Sequence, residues 1–161
     1  MKRVNPFILL ATLALPMAFT ACNRDVLFVD DQRVDVQGWQ MGCKLDFSVD
    51  IEDTAQLYTF LIDLRHTVDY PYSNSFFLVT TIFPDGGIAV DTVECPMATP
   101  EGQWLGKRVG GYVDNRYIFR RNTRFPTTGT YHFEIQHGMR DTAIIGIKNV
   151  GLRIEKSKLA K

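Results

Sequence analysis

Apolar and polar residues alternate with a period of two along most of the chain, and no stretch beyond the N-terminus holds a 3.6-residue stripe. Residues 43 to 51 set the pattern. Cys43, Leu45, Phe47, Val49 and Ile51 fall on one face, and Lys44, Asp46, Ser48 and Asp50 on the other. That spacing predicts a strand with one dry and one wet side. Further runs rich in β-branched and aromatic residues predict strands at 26–29, 57–67, 76–83, 88–94, 112–121, 131–136 and 150–155. Pro84-Asp85-Gly86-Gly87 predicts a hairpin, because proline fixes φ and the glycines accept φ > 0. Residues 98–103 read as a loop and Pro126-Thr127-Thr128-Gly129 as a turn. About eight strands with long connections predict an all-β fold, an antiparallel two-sheet sandwich of jelly-roll type. With no repeat and no linker in view, residues 22–161 are expected to form a single β-sandwich domain with a short basic tail at 156–161.

The N-terminus follows a different rule. Lys2 and Arg3 precede an apolar run from Pro6 to Phe19, which closes on Thr20-Ala21-Cys22. A run of about 14 residues spans about 20 Å as a helix, well short of a hydrocarbon core of about 30 Å. Residues 1–21 therefore read as a signal peptide that is removed rather than as a permanent span. The small residues before Cys22 resemble a lipobox, in which the cysteine is acylated and becomes the mature N-terminus. The alternative is an ordinary secretory cut near Ala21, leaving Cys22 as a bare thiol in an oxidising compartment. Acyl chains contribute about 0.8 kcal/mol per buried methylene, so a lipidated Cys22 holds the protein on a membrane. The expected location is the cell envelope, on the outer membrane facing the periplasm. Asn23, Arg24 and Asp25 do not form the acidic run that resembles a surface-export signal.

With Cys22 assigned to lipid, Cys43 and Cys95 remain as an even pair. They are either bridged or two buried thiols. A bridge would close a loop of about 52 residues and add about 4 kcal/mol. Lys plus Arg and Asp plus Glu each total 18, so no net field draws the chain to nucleic acid. The sequence holds no G-x-S-x-G elbow, H-E-x-x-H pair, P-loop or dinucleotide glycine fingerprint, and the expectation is a non-enzymatic protein without a cofactor. His66, His132 and His137 sit in strand-like runs as surface or half-buried residues. Asp46, Asp50 and Glu52 share the wet face of one strand, where they form either a solvated surface or part of a calcium site. Aromatic residues are the stronger clue. Trp39, Tyr58, Tyr112 and Tyr117 are core fillers or binding surfaces, and the segment Asp69-Tyr70-Pro71-Tyr72-Ser73-Asn74 joins two strong strands. Tyr70, Tyr72, Asn74 and Trp104 make the candidate interaction surface, for another envelope protein or, alternatively, for a glycan.

Several of these segments occur together in one family. The lipobox is followed by Gly38-Trp39, by Asp69 to Asn74, by Met97-Ala98 and by Gly102-Gln103-Trp104-Leu105-Gly106. Phe125-Pro126-x-x-Gly129-x-Tyr131-x-Phe133, Gln136-x-x-Met139-Arg140 and Val150 to Glu155 come after them in the same order. Together they resemble the GldH family, gliding-motility-associated lipoproteins of Bacteroidetes. The resemblance implies an accessory component of the gliding machinery, anchored at the envelope and linked to the secretion apparatus of that phylum. It supplies no catalytic residues.

Overall fold

The computed structural model describes residues 25–158. The signal segment 1–21, Cys22 and the last residues of the basic tail lie outside them. Eleven strands form: β1 (Val26–Arg33), β2 (Trp39–Gln40), β3 (Leu45–Ile51), β4 (Tyr58–Thr67), β5 (Asn74–Ile82), β6 (Ile88–Pro96), β7 (Lys107–Val109), β8 (Tyr112–Thr123), β9 (Gly129–His137), β10 (Ala143–Ile144) and β11 (Ile147–Lys156). A five-stranded sheet runs β1-β11-β4-β8-β7 and a four-stranded sheet runs β3-β9-β5-β6, while β10 and β2 pair separately. All pairings are antiparallel. Counting only the eight long strands in chain order, the two sheets run first-eighth-third-sixth and second-seventh-fourth-fifth. That winding is a jelly roll, as the spacing of strands and turns predicts.

Alternation fills the space between the sheets. On β3, Phe47, Val49 and Ile51 are buried while Asp46, Ser48 and Asp50 are exposed. Tyr58, Phe60, Ile62 and Leu64 of β4 face inward against Val150, Leu152 and Ile154 of β11, in the same layer. Phe60 reaches across to Phe133 of the other sheet, with ring centroids 6.0 Å apart. The predicted hairpin forms between β5 and β6, closed by Phe83 N–H to Gly87 O at 2.8 Å and Gly86 N–H to Phe83 O at 2.9 Å. Gly106, with φ at +92°, has no room for a side chain: a Cβ there would lie 2.2 Å from Asn115 Oδ1 and 2.4 Å from Asp114 O.

Three departures have physical causes. The first strand runs on to Arg33 past the predicted end at Val29, because β11 pairs it throughout even where its side chains turn polar. Strands β2, β7 and β10 are two or three residues long and hold no period that a sequence could display. The Cys43–Cys95 bridge does not form: Cys43 is an exposed free thiol and Cys95 a buried one. Cys43 sits in the approach to β3 rather than on it, after a turn in which Gly42 has φ at +79°, so the inward alternation begins only at Leu45. Strands β9 and β5 also lie between β3 and β6. Three interstrand steps of about 4.8 Å each separate the two cysteines by more than the ~7 Å between Cα atoms that a disulfide spans.

Candidate interaction site

At the end of β4 the chain turns through residues 68–73 before entering β5. Two tyrosines in this turn face opposite ways. Tyr70 is 3% exposed, and its hydroxyl donates to the Asn74 carbonyl at 3.2 Å, which ties the turn to itself. Tyr72 is 37% exposed, and its hydroxyl donates to the Asp141 carboxylate. Their rings meet edge to face at 5.8 Å. Trp104 arrives from the connection between β6 and β7, pinned by a one-residue bridge to Ala98. It meets His66 of β4 at 4.8 Å, and His66 meets Tyr70 at 5.6 Å.

Trp104, His66, Tyr70 and Tyr72 thus form one continuous run of rings. The sequence pattern points to three of the four but not to His66, whose strand-like setting predicts a surface or half-buried position and which is fully buried. His137 is likewise buried. His66 Nδ1 lies 2.8 Å from the Thr67 carbonyl and is placed to donate to it, while Nε2 has no partner among the described residues. Tyr70 therefore belongs to the core under the candidate surface and not to the surface itself. Asn74 is half-buried, and its amide donates to Glu94 Oε1 at 3.0 Å. Trp39 and Tyr58 are also core residues, each 2% exposed.

Beside Tyr72, the residues Phe76, Gly138, Met139, Arg140 and Asp141 line an open groove of about 550 Å³. The groove is shaped from below. Gly138 N–H donates to Phe76 O at 2.7 Å, and the Phe76 N–H points at the Met139 sulfur at 3.4 Å. Burial pushes the Tyr70 hydroxyl up to about 12 and holds His66 below its ordinary value. The Asp141 hydrogen bond raises Tyr72. At neutral pH the ring cluster is consequently uncharged, and Arg140 and Asp141 supply the charge at the rim. Burial also pushes the Cys95 thiol up to about 12, which leaves it unreactive.

A second groove, about 320 Å³, crosses the outer face of the five-stranded sheet above Gly151. Three of its four carboxylates, all but Asp30, are already engaged. Asp63 binds Arg116 at 2.5 Å and Arg153 at 3.1 Å, Asp114 binds Arg65 at 2.6 Å, and Asp31 accepts from Asn149 at 2.7 Å. Asp46 and Asp50, the calcium alternative, sit in ordinary cross-strand contacts. Asp50 accepts the Thr130 hydroxyl at 2.7 Å, Asp46 faces Glu134 across the ladder, and Glu134 is salted to Lys44 at 2.5 Å. Among the described residues no three His, Cys, Asp or Glu side chains gather as a metal site.

Fold and site together define a jelly-roll protein with an aromatic-backed groove at one end. The family profile described as GldH lipoprotein matches residues 26–154. This chain belongs to the GldH lipoprotein family. It is 32% identical over 158 residues to the gliding motility lipoprotein GldH homolog of Christiangramia forsetii, with 94% of each chain covered. It is 28% identical over 163 residues to the gliding motility lipoprotein GldH of Flavobacterium johnsoniae, covering 97% of this chain and 99% of the relative. Among solved structures, the infectious bursal disease virus VP2 subviral particle matches loosely, with a TM-score of 0.37 at 11% identity over 83% of this chain and 32% of that one.

Proposed function

We propose that this chain is a non-enzymatic lipoprotein of the gliding-motility machinery, lipidated at Cys22 after removal of residues 1–21. In this reading it faces the periplasm from the outer membrane and docks another envelope protein linked to the secretion apparatus. The names of both relatives support the gliding-motility part. The observation that carries the docking part is Tyr72. An exposed tyrosine is fixed by Asp141 at the rim of a groove floored by Phe76 and Met139, on a base of packed rings. A rigid aromatic anchor beside an apolar trough loses little side-chain entropy on binding, which is the usual make-up of an interface centre.

The test is co-purification of the full-length protein from its own membranes in mild detergent, with mass spectrometry of the N-terminal peptide and of the bound proteins. The expected result is an acylated Cys22 and a gliding or secretion component that is lost from the Tyr72→Ala variant while its melting curve stays normal. A folded Tyr72→Ala protein that keeps every partner removes the docking site from this groove. An acylated protein with no protein partner, but with saturable polysaccharide binding, replaces the reading with glycan recognition.

A further inference from the structure

A sandwich of two open sheets has four edges, and unpaired edges invite unwanted pairing unless they are blunted. Three of the four are blunted here. Strand β1 carries Asp30, Asp31 and Arg33 and a register shift between Val26 and Phe28. Strand β3 is preceded by Lys44 and carries Asp46 and Asp50 along it, and the Asp46 carbonyl is already taken by the Gln32 side chain at 2.5 Å. Strand β7 is three residues long and begins Lys107-Arg108, and beyond it β8, which no strand among the described residues pairs on that side from Asn115 on, carries Arg116, Arg120 and Arg121 and shifts register against β4.

Strand β6 is different. It runs nine residues without a register shift, and Ile88 and Val90 stand 67% and 59% exposed on it. The bonding phase of the hairpin shows which backbone groups are free. Phe83 and Gly87 bond across the turn, so Ile82 and Ile88 form a pair without mutual bonds, and the pattern alternates from there. The Phe76 carbonyl turned to Gly138 and the Ser73 carbonyl turned to Met97 fit the same phase. It follows that Ile88, Val90, Thr92 and Glu94 point their N–H and C=O groups away from β5, to the open side. The edge closes at Pro96, which has no N–H and whose carbonyl accepts the Tyr117 hydroxyl at 2.7 Å.

We propose that β6 pairs antiparallel with β6 of a second copy, about a two-fold axis at Val90, joining two four-stranded sheets into one of eight strands. In this register Val90 meets its own counterpart and Ile88 meets Thr92, so both exposed aliphatic side chains are covered. Glu94 falls opposite Gly86, which has no side chain. Moving the axis to Asp91 would set two carboxylates directly opposite each other, a destabilising arrangement. At Val90 each Asp91 instead faces Ala89 and keeps its own partner, Arg120. The axis stands perpendicular to the sheet, so both five-stranded sheets, and Val26 at the start of β1 in each, lie on the same side. That arrangement suits two chains tethered to one membrane, where confinement raises the effective concentration of a short ladder. The Tyr72 groove plays no part in the pairing.

The experiment uses the full-length protein in intact cells, with Cys43→Ser to remove the exposed native thiol. A residue pair exchanging both backbone bonds has Cα atoms about 5.5 Å apart, within disulfide range. Val90→Cys should therefore give a homodimer on mild oxidation, identified by mass and by the cross-linked peptide, and Thr92→Cys, which faces Ile88, should not. Two differently tagged wild-type copies should co-purify, and Val90→Lys in both should abolish this while leaving the melting curve unchanged. Three results each overturn the proposal: a Val90→Cys protein that stays monomeric or cross-links to a different protein, a Thr92→Cys protein that self-links instead, or co-purification that survives Val90→Lys.

Discussion

Tyr70 and Tyr72 lie two residues apart and share a side chain, yet one is core and the other surface. A tyrosine has an apolar body and a polar tip, so its identity does not say which way it turns, and in a connection no alternation decides. What could have separated them is Asp141, but that contact spans 69 positions of sequence. The histidines show the same limit, since His66 and His137 fall on the inward phase of their strands without being apolar. Their burial has a consequence for pH. Both are held below the ordinary value of 6.5 by desolvation, opposed for His66 by the Thr67 backbone and then Asp114, and for His137 by the Gln40 backbone and then Asp141. The folded protein thus binds fewer protons than the unfolded chain as pH falls below about 6.5, and this stabilisation is present above that value and lost beneath it. The melting temperature should decline between about pH 7 and pH 5, with a shallower slope in the His137→Gln variant. A level profile across that range would contradict the assignment. The cysteines give a second check. A maleimide should label Cys43 in the native protein and reach Cys95 only in denaturant.

Strands were legible where a period of two persisted for five residues or more, and so were the turns carrying proline and glycine. Pro84 to Gly87 is such a case: the hairpin follows from local chemistry, helped by Asp85 Oδ1 accepting the Gly87 N–H at 2.9 Å. The loop at 98–103 was legible too, but strand β7 after it was not, because its form depends on β8. Gly106 marks the junction. Its backbone conformation and its approach to Asp114 and Asn115 leave no space for a methyl group. Gly106→Ala should destabilise the protein by about 2–4 kcal/mol, combining left-handed strain with displacement of the β8 backbone. Urea denaturation measures this directly, and a loss under about 0.5 kcal/mol would mean that the β7 edge relaxes freely.

At the scale of the whole molecule, the winding brings the first and last strands together and places the fourth and fifth in the opposite sheet. No local signal encodes that order; it emerges from which dry faces can cover one another. Such a topology assembles slowly, because chain ends must meet before most of the core exists. Refolding from urea should therefore take milliseconds to seconds rather than microseconds. A microsecond phase carrying the full amplitude would show that native contacts form locally first.

The pairing of β1 with β11, from Val26 beside Glu155 to Arg33 beside Asn149, has a mechanical side. If Cys22 is fixed in a membrane, as proposed, the pull of that anchor enters the domain at the start of β1. Drawn along the strand axis, β1 is loaded in shear, and its hydrogen bonds to β11 resist together. Drawn sideways, it peels from Val26 onward, one pair at a time. The same tether is strong in one direction and weak in the other, so the orientation of the domain on the membrane sets how much tension it survives.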